Sequence, residues 1–195
     1  NNYLSNVGTL TSSYDRSATT PVVGLVIRPR DNVSLYANYI EGLSRGDVVP
    51  QNASNFGEVL SPYIAKQYEA GIKVDFGRFA TTFSAFEISK ASGELSAGRF
   101  AATAEQQVRG LEFNVFGELM PDIRVLGGLS LLDGTLTKSA VAANVGNAPI
   151  GVPNIQANIG AEWDLPWVRG LTLNGVVIYT GKQFVDAANK QPIPD

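Results

Sequence analysis

The chain has 195 residues, 44% of them hydrophobic, with 15 basic against 18 acidic side chains and a mean hydropathy of +0.01. No apolar run approaches the roughly 20 residues of a spanning helix, and Cys and His are both absent. A helical membrane protein, a disulfide scaffold, a thiolate metal site and imidazole chemistry are therefore excluded, and a net charge of −3 without a basic stripe argues against a nucleic-acid surface. A membrane β-barrel remains open, because its lipid-facing and lumen-facing residues alternate and average to near-neutral hydropathy.

Taken in chain order, the pattern has a period of two. Thr20 to Arg28 is nearly apolar on both faces and leads into a turn. In Val33 to Tyr39, Val33, Leu35, Ala37 and Tyr39 oppose Ser34, Tyr36 and Asn38. From Gln67 to Phe76, Tyr68, Ala70, Ile72, Val74 and Phe76 oppose Gln67, Glu69, Gly71, Lys73 and Asp75, which at helical spacing would be mixed. Weaker alternation covers Phe79 to Ala85, Ile123 to Leu131 and Leu171 to Tyr179. Gly110 to Val115 and Ile155 to Trp163 repeat the strong form. The sum is an all-β antiparallel up-and-down meander of about eight strands.

The connections alternate in length. Short turns rich in Gly, Pro, Asp and Asn fall at 28–32, 77–78, 119–122 and 164–170. Longer segments lie at Glu41 to Pro62, Ala91 to Gln106 and Lys138 to Pro153, giving roughly 40 to 50 residues per hairpin, too irregular for a propeller or solenoid repeat. Such sorting puts all long loops on one side of the sheet, the asymmetry of an outer-membrane barrel.

Aromatics near strand ends (Tyr36, Tyr39, Tyr63, Tyr68, Phe76, Phe79, Trp163, Trp167 and Tyr179) are expected to form interfacial girdles, with ordinary β-core packing as the alternative. Glu69, Lys73, Asp75, Glu112 and Glu162 are expected to line a hydrated lumen or meet an internal plug, or else to face solvent on a soluble sheet. A structural charge network linking Glu69 and Lys73 is plausible. Acidic pairs chosen from 18 carboxylates are expected by chance, so no catalytic dyad is assigned. The glycines of Arg124 to Leu129 lack phosphate-loop spacing and are read as structural. Within the loops, Arg45, Phe56, Arg99 and Phe100 are the candidate ligand contacts. No metal ligands and no resident cofactor are assigned.

Four segments carry a family resemblance. Leu35 to Leu43 (LYANYIEGL), Lys66 to Lys73 (KQYEAGIK), Arg109 to Phe113 (RGLEF) and Gly151 to Asn158 (GVPNIQAN) resemble, in order and spacing, segments of TonB-dependent siderophore receptors of the ferrichrome type. That resemblance implies a segment of a bacterial outer-membrane barrel of about 22 strands. The whole receptor would bind and import ferric siderophores, surrounded by outer-membrane lipid and energised by an inner-membrane coupling protein. Residues 1–195 would then form part of the barrel, with the plug domain and closing strands outside the chain. The first residue, Asn1, and the last five, Gln191 to Asp195, do not resemble natural termini, and an excised piece with two open edges is expected to self-associate. The competing readings are a complete eight-stranded barrel of structural or adhesin type and a soluble β-sandwich or lipocalin-like binding module.

Overall fold

The computed structural model describes residues 2–4, 10–13, 17 and 19–195; Asn1 lies outside them. Two short strands, β1 (Asn2–Leu4) and β2 (Leu10–Ser13), pair with each other. The body of the molecule is β3 (Val22–Arg30), β4 (Val33–Ser44), β5 (Tyr63–Asp75), β6 (Phe79–Ser96), β7 (Arg99–Met120), β8 (Ile123–Lys138), β9 (Ile155–Asp164) and β10 (Thr172–Thr180). A small pair, β11 (Gln183–Phe184) with β12 (Pro192–Ile193), follows. The eight long strands form one antiparallel sheet in chain order, each bonded to its sequence neighbours. Among the described residues the only helix is a single 3-10 turn at Ala142–Asn144.

Side-chain alternation continues across the strands. Ile27, Leu35, Ile72, Phe83, Phe113, Leu129, Ala157 and Tyr179 stand opposite one another in one row, all on the same face. The next row, on the other face, reads Val26, Tyr36, Gly71, Ser84, Glu112, Ser130, Gln156 and Thr180. Among the described residues no second layer covers the apolar face: Phe113 is 42% exposed and Ile159 is 55% exposed. A sandwich or lipocalin would seal those side chains, so the soluble readings are excluded. The sheet is also open, with β3 and β10 at opposite edges, which excludes a self-closed eight-stranded barrel.

The register carries the barrel geometry. Each successive short turn sits roughly two residues further along the perpendicular rows, which with ordinary strand dimensions corresponds to a tilt of about 35°. Tilt of this size is what closure of a membrane barrel requires.

Three sequence expectations need correction. Ala91 to Gln106 is not a long loop but the upper part of a tall hairpin, because β6 runs to Ser96 and β7 starts at Arg99. Its turn is Ala97–Gly98, both at positive φ (48° and 77°), the geometry that follows the twist of a two-residue hairpin. Tyr36 does not belong to a girdle, since it lies on the polar face. Tyr63 does not either, being buried beneath the loops. Among the other aromatics, Tyr39, Tyr68, Phe79, Trp163 and Tyr179 share the parity of the apolar rows. Phe76 stacks on Phe79 (4.7 Å), Trp167 meets Trp163 edge-on (5.2 Å), and Tyr39 lies against Tyr68 (4.9 Å).

Candidate functional site

The polar face is held by bonds between neighbouring strands. The Tyr36 hydroxyl donates to Glu69 (2.5 Å), and the Gln67 amide donates to the other oxygen of the same carboxylate (2.9 Å). Lys73 sits over the Tyr36 ring at 5.0 Å, so the expected link between Glu69 and Lys73 runs through that tyrosine. The ring can lie flat there because residue 71 is glycine: a Cβ would stand 2.7 Å from the ring carbons and from the Phe83 carbonyl oxygen. Ser130 donates to Glu112 (3.3 Å), and at the short-turn end Arg124 bonds Glu162 (3.0 Å) and Asp164 (2.7 Å). Polarity is not uniform. Near that end Phe116, Leu126 and Val176 also lie on this face, and all three are well exposed.

The largest groove, about 780 Å³, lies elsewhere. Its lining joins Tyr68, Ala70, Ala85 and Leu111 of the apolar face to the charged Glu87, Arg109 and Asp133. We do not assign it a soluble ligand.

Above the sheet the loops form a connected tier. The first surface loop, 45–62, folds back on itself: Val49 N–H donates to Glu58 O (2.9 Å) and Leu60 N–H to Asp47 O (2.9 Å). It docks on the tip of the β6–β7 hairpin. Asn55, 7% exposed, acts as a two-way clip, accepting from Phe100 N–H (3.0 Å) and donating to Phe100 O (3.0 Å). Ser54 N–H donates to Gly98 O (2.7 Å), and Arg99 pairs with Glu58 (3.8 Å). Val49, Ala53, Tyr63 and Ala104 are each buried in this tier, Val49 only 1% exposed.

A second surface loop, 139–154, attaches to the same hairpin through Glu94. That carboxylate accepts from Thr103 Oγ1 (2.7 Å), Ser139 Oγ (2.7 Å) and Ala140 N–H (2.6 Å). Partial burial raises the Glu94 pKa, but these three donors outweigh it and hold the group below its ordinary value. The loop is fastened in turn to the segment 181–195. Asn189, at φ 55°, accepts from Ala148 N–H (2.8 Å) and donates to Ala148 O (2.9 Å), repeating the Asn55 arrangement. Asp186, which caps the backbone N–H of Gln191 (2.8 Å) and Lys190 (3.2 Å), is likewise held below its usual range, chiefly by Gln191.

Of the four candidate contacts, the structure brings Phe56, Arg99 and Phe100 together in the docked first loop and hairpin tip. Phe56 is exposed, Arg99 extends outward, and Phe100 is held by its backbone. Arg45 is exposed at the start of that loop. The sequence reading named neither Glu94 nor Asn189, and it placed Asn55 only among polar loop residues without its fastening role. One Asn or Glu among many carries no signal until a distant backbone stands opposite it.

The profile of the family described as TonB dependent receptor-like, beta-barrel, matches residues 1–195. The chain belongs to that family. It is 38% identical to the ferrichrome receptor FcuA of Yersinia enterocolitica over 96% of this chain and 26% of that protein. Among solved structures it is similar to BauA, the ferric preacinetobactin receptor from Acinetobacter baumannii, at 44% identity and a TM-score of 0.74, covering 91% of this chain and 28% of that one. The siderophore receptor PiuA from Acinetobacter baumannii has the same TM-score at 22% identity, covering 95% of this chain and 30% of that one, which speaks for the fold alone. The chain thus spans about a quarter of the length of the curated relatives it matches. As a member of this barrel family it is an outer-membrane protein.

Proposed function

We propose that the chain is the barrel segment of a longer receptor that binds ferric siderophores at its loop tier and imports them. The observation that carries this reading is similarity along nearly the whole chain to a ferrichrome receptor, on a sheet whose apolar rows are left uncovered for lipid. The loop chemistry supports it. Chelated iron presents an organic surface to the protein, so aromatic and polar contacts suffice where no dedicated metal ligands exist. Among the described residues no group of three acidic side chains stands close enough to hold a bare ion. Phe56 and Arg99 are the contacts we favour. Arg45 and Phe100 are secondary, the latter because its backbone already serves the Asn55 clip.

The reading includes a plug domain outside residues 1–195, for which Phe116, Leu126 and Val176 on the lumen face offer an apolar seat. It also includes energy supplied by an inner-membrane partner, no resident cofactor and no chemical conversion of the ligand. Separated from its parent, the sheet has unpaired edges at β3 and β10 and would self-associate.

The test is titration of the intact purified receptor with iron-loaded and iron-free hydroxamate, catecholate and mixed siderophores, followed by tryptophan fluorescence. Saturable binding of at least one ferric form, weakened in Phe56→Ala and Arg99→Ala, is expected. Failure of every ferric chelate to bind would overturn the proposal.

A further inference from the structure

The β6–β7 hairpin rises above the strands beside it. Its last rung against β8 is Glu105 with Lys138, and against β5 it is Lys90 with Ala65. The tip from Gly93 to Thr103 therefore has no strand on either side, and its lateral support comes from the loops. The support converges on one irregularity. Between the pairs Ser92–Ala104 and Glu94–Ala101 the register shifts, leaving Gly93 opposite both Ala102 and Thr103. Such a bulge turns backbone and side chains out of the ladder. Gly93 N–H donates to Asp47 Oδ2 of the first loop (3.1 Å), an oxygen that also accepts from Tyr63 (3.0 Å). The next residue, Glu94, holds the second loop through Ser139 and Ala140. A Cβ at 93 would meet the Phe100 ring and stand 2.6 Å from that Asp47 oxygen, so a larger residue there would displace both side chains.

We propose that the Gly93–Glu94 bulge is a positioning element that couples the loops 45–62 and 139–154 through the free-standing hairpin tip. Detaching one loop lets the tip sway, and the bonds to the other loop then lose their alignment. Asn55 and Glu94 are the two ends of this coupling, though more than forty residues separate Glu94 from Ser139 and Asn55 from Phe100. A ligand that orders one loop would thereby order its neighbour. That consequence rests on the receptor reading above; the coupling itself does not.

The test is hydrogen exchange by mass spectrometry on the intact receptor in lipid, comparing Asn55→Ala, Glu94→Ala and the double variant. We expect Glu94→Ala to speed exchange in 45–62, and Asn55→Ala to speed it in 139–154, each by at least about fivefold. In the double variant the two factors should fail to multiply. Amides of β4 and β5 near Tyr39 and Tyr68 report whether the wall is intact. Acceleration confined to each variant's own loop, with the wall protected, would overturn the coupling. If Glu94→Ala does not assemble, Ser139→Ala, which removes the bond to Glu94 and the Val141 N–H bond to the same hydroxyl, decides the question by exchange in 45–62. Loops that respond together in a receptor binding no ferric chelate would leave the coupling standing and the import reading lost.

Discussion

The wall of the sheet and the loop tier above it are held together by opposite means. In the wall, every strand from β4 to β9 is bonded on both sides, and side-chain bonds such as Tyr36 to Glu69 add to a ladder that is already complete. Removing one wall side chain leaves the ladder in place. The tier has little ladder, and a few side chains bonded to distant backbone carry it, namely Asn55 on Phe100, Glu94 on Ala140 and Asn189 on Ala148. Cohesion distributed over many equivalent bonds tolerates substitution except where the medium changes. Cohesion concentrated in a few groups fails locally when one is lost, because each freed backbone group must find water instead.

The strongest way to break this contrast is to place a charge in the apolar band. Phe113→Arg should cost on the order of 2–4 kcal/mol in the intact receptor, whereas Asn114→Arg one residue along, facing the lumen, should cost less than about 1 kcal/mol. Urea unfolding in lipid vesicles measures both, and equal costs would mean that both faces meet the same medium. A smaller effect is expected within the wall from Gly71→Ala. The new methyl meets the Tyr36 ring and the Phe83 carbonyl, so Tyr36 must leave Glu69, at about 1–3 kcal/mol. The same unfolding assay reads it, and an unchanged midpoint would show that the ring moves freely. The smallest effect concerns pH and the tier alone. Since the folded state holds Glu94 below its ordinary value of 4.5, its contribution is complete above that value and is lost as the pH falls through the lowered one. Spin labels at Ala97 and Ala143 should show a distance distribution that broadens as the pH is taken from 5 to below 4, while labels within the wall stay sharp. A distribution that does not change would assign the attachment to the hydrogen bonds irrespective of charge.

The contrast also explains which parts of the molecule were legible in advance. Gln67 to Phe76 and Ile155 to Trp163 declared their strands because a half-buried strand repeats every two residues, a local property. The tall hairpin was hidden for the same reason. Above the membrane both faces of residues 91–106 meet water or loops, so Ala101, Ala102, Thr103 and Ala104 have no apolar partition to display. Alternation with Leu35 and Ala37 already put Tyr36 on the polar face, and proximity to a strand end was the misleading cue; Tyr63 is buried where its hydroxyl meets Asp47, a contact between positions sixteen residues apart.

Residue order alone determined the all-β class, the sorting of short and long connections and the apolar rows, since each follows from periodicity and turn chemistry within a few residues. Only the tertiary structure decided that the sheet stays open, that its strands tilt, and that one bulge at Gly93 serves two loops. Those features depend on register between strands and on which backbone groups lack a ladder partner, and both are relations between positions far apart in the chain.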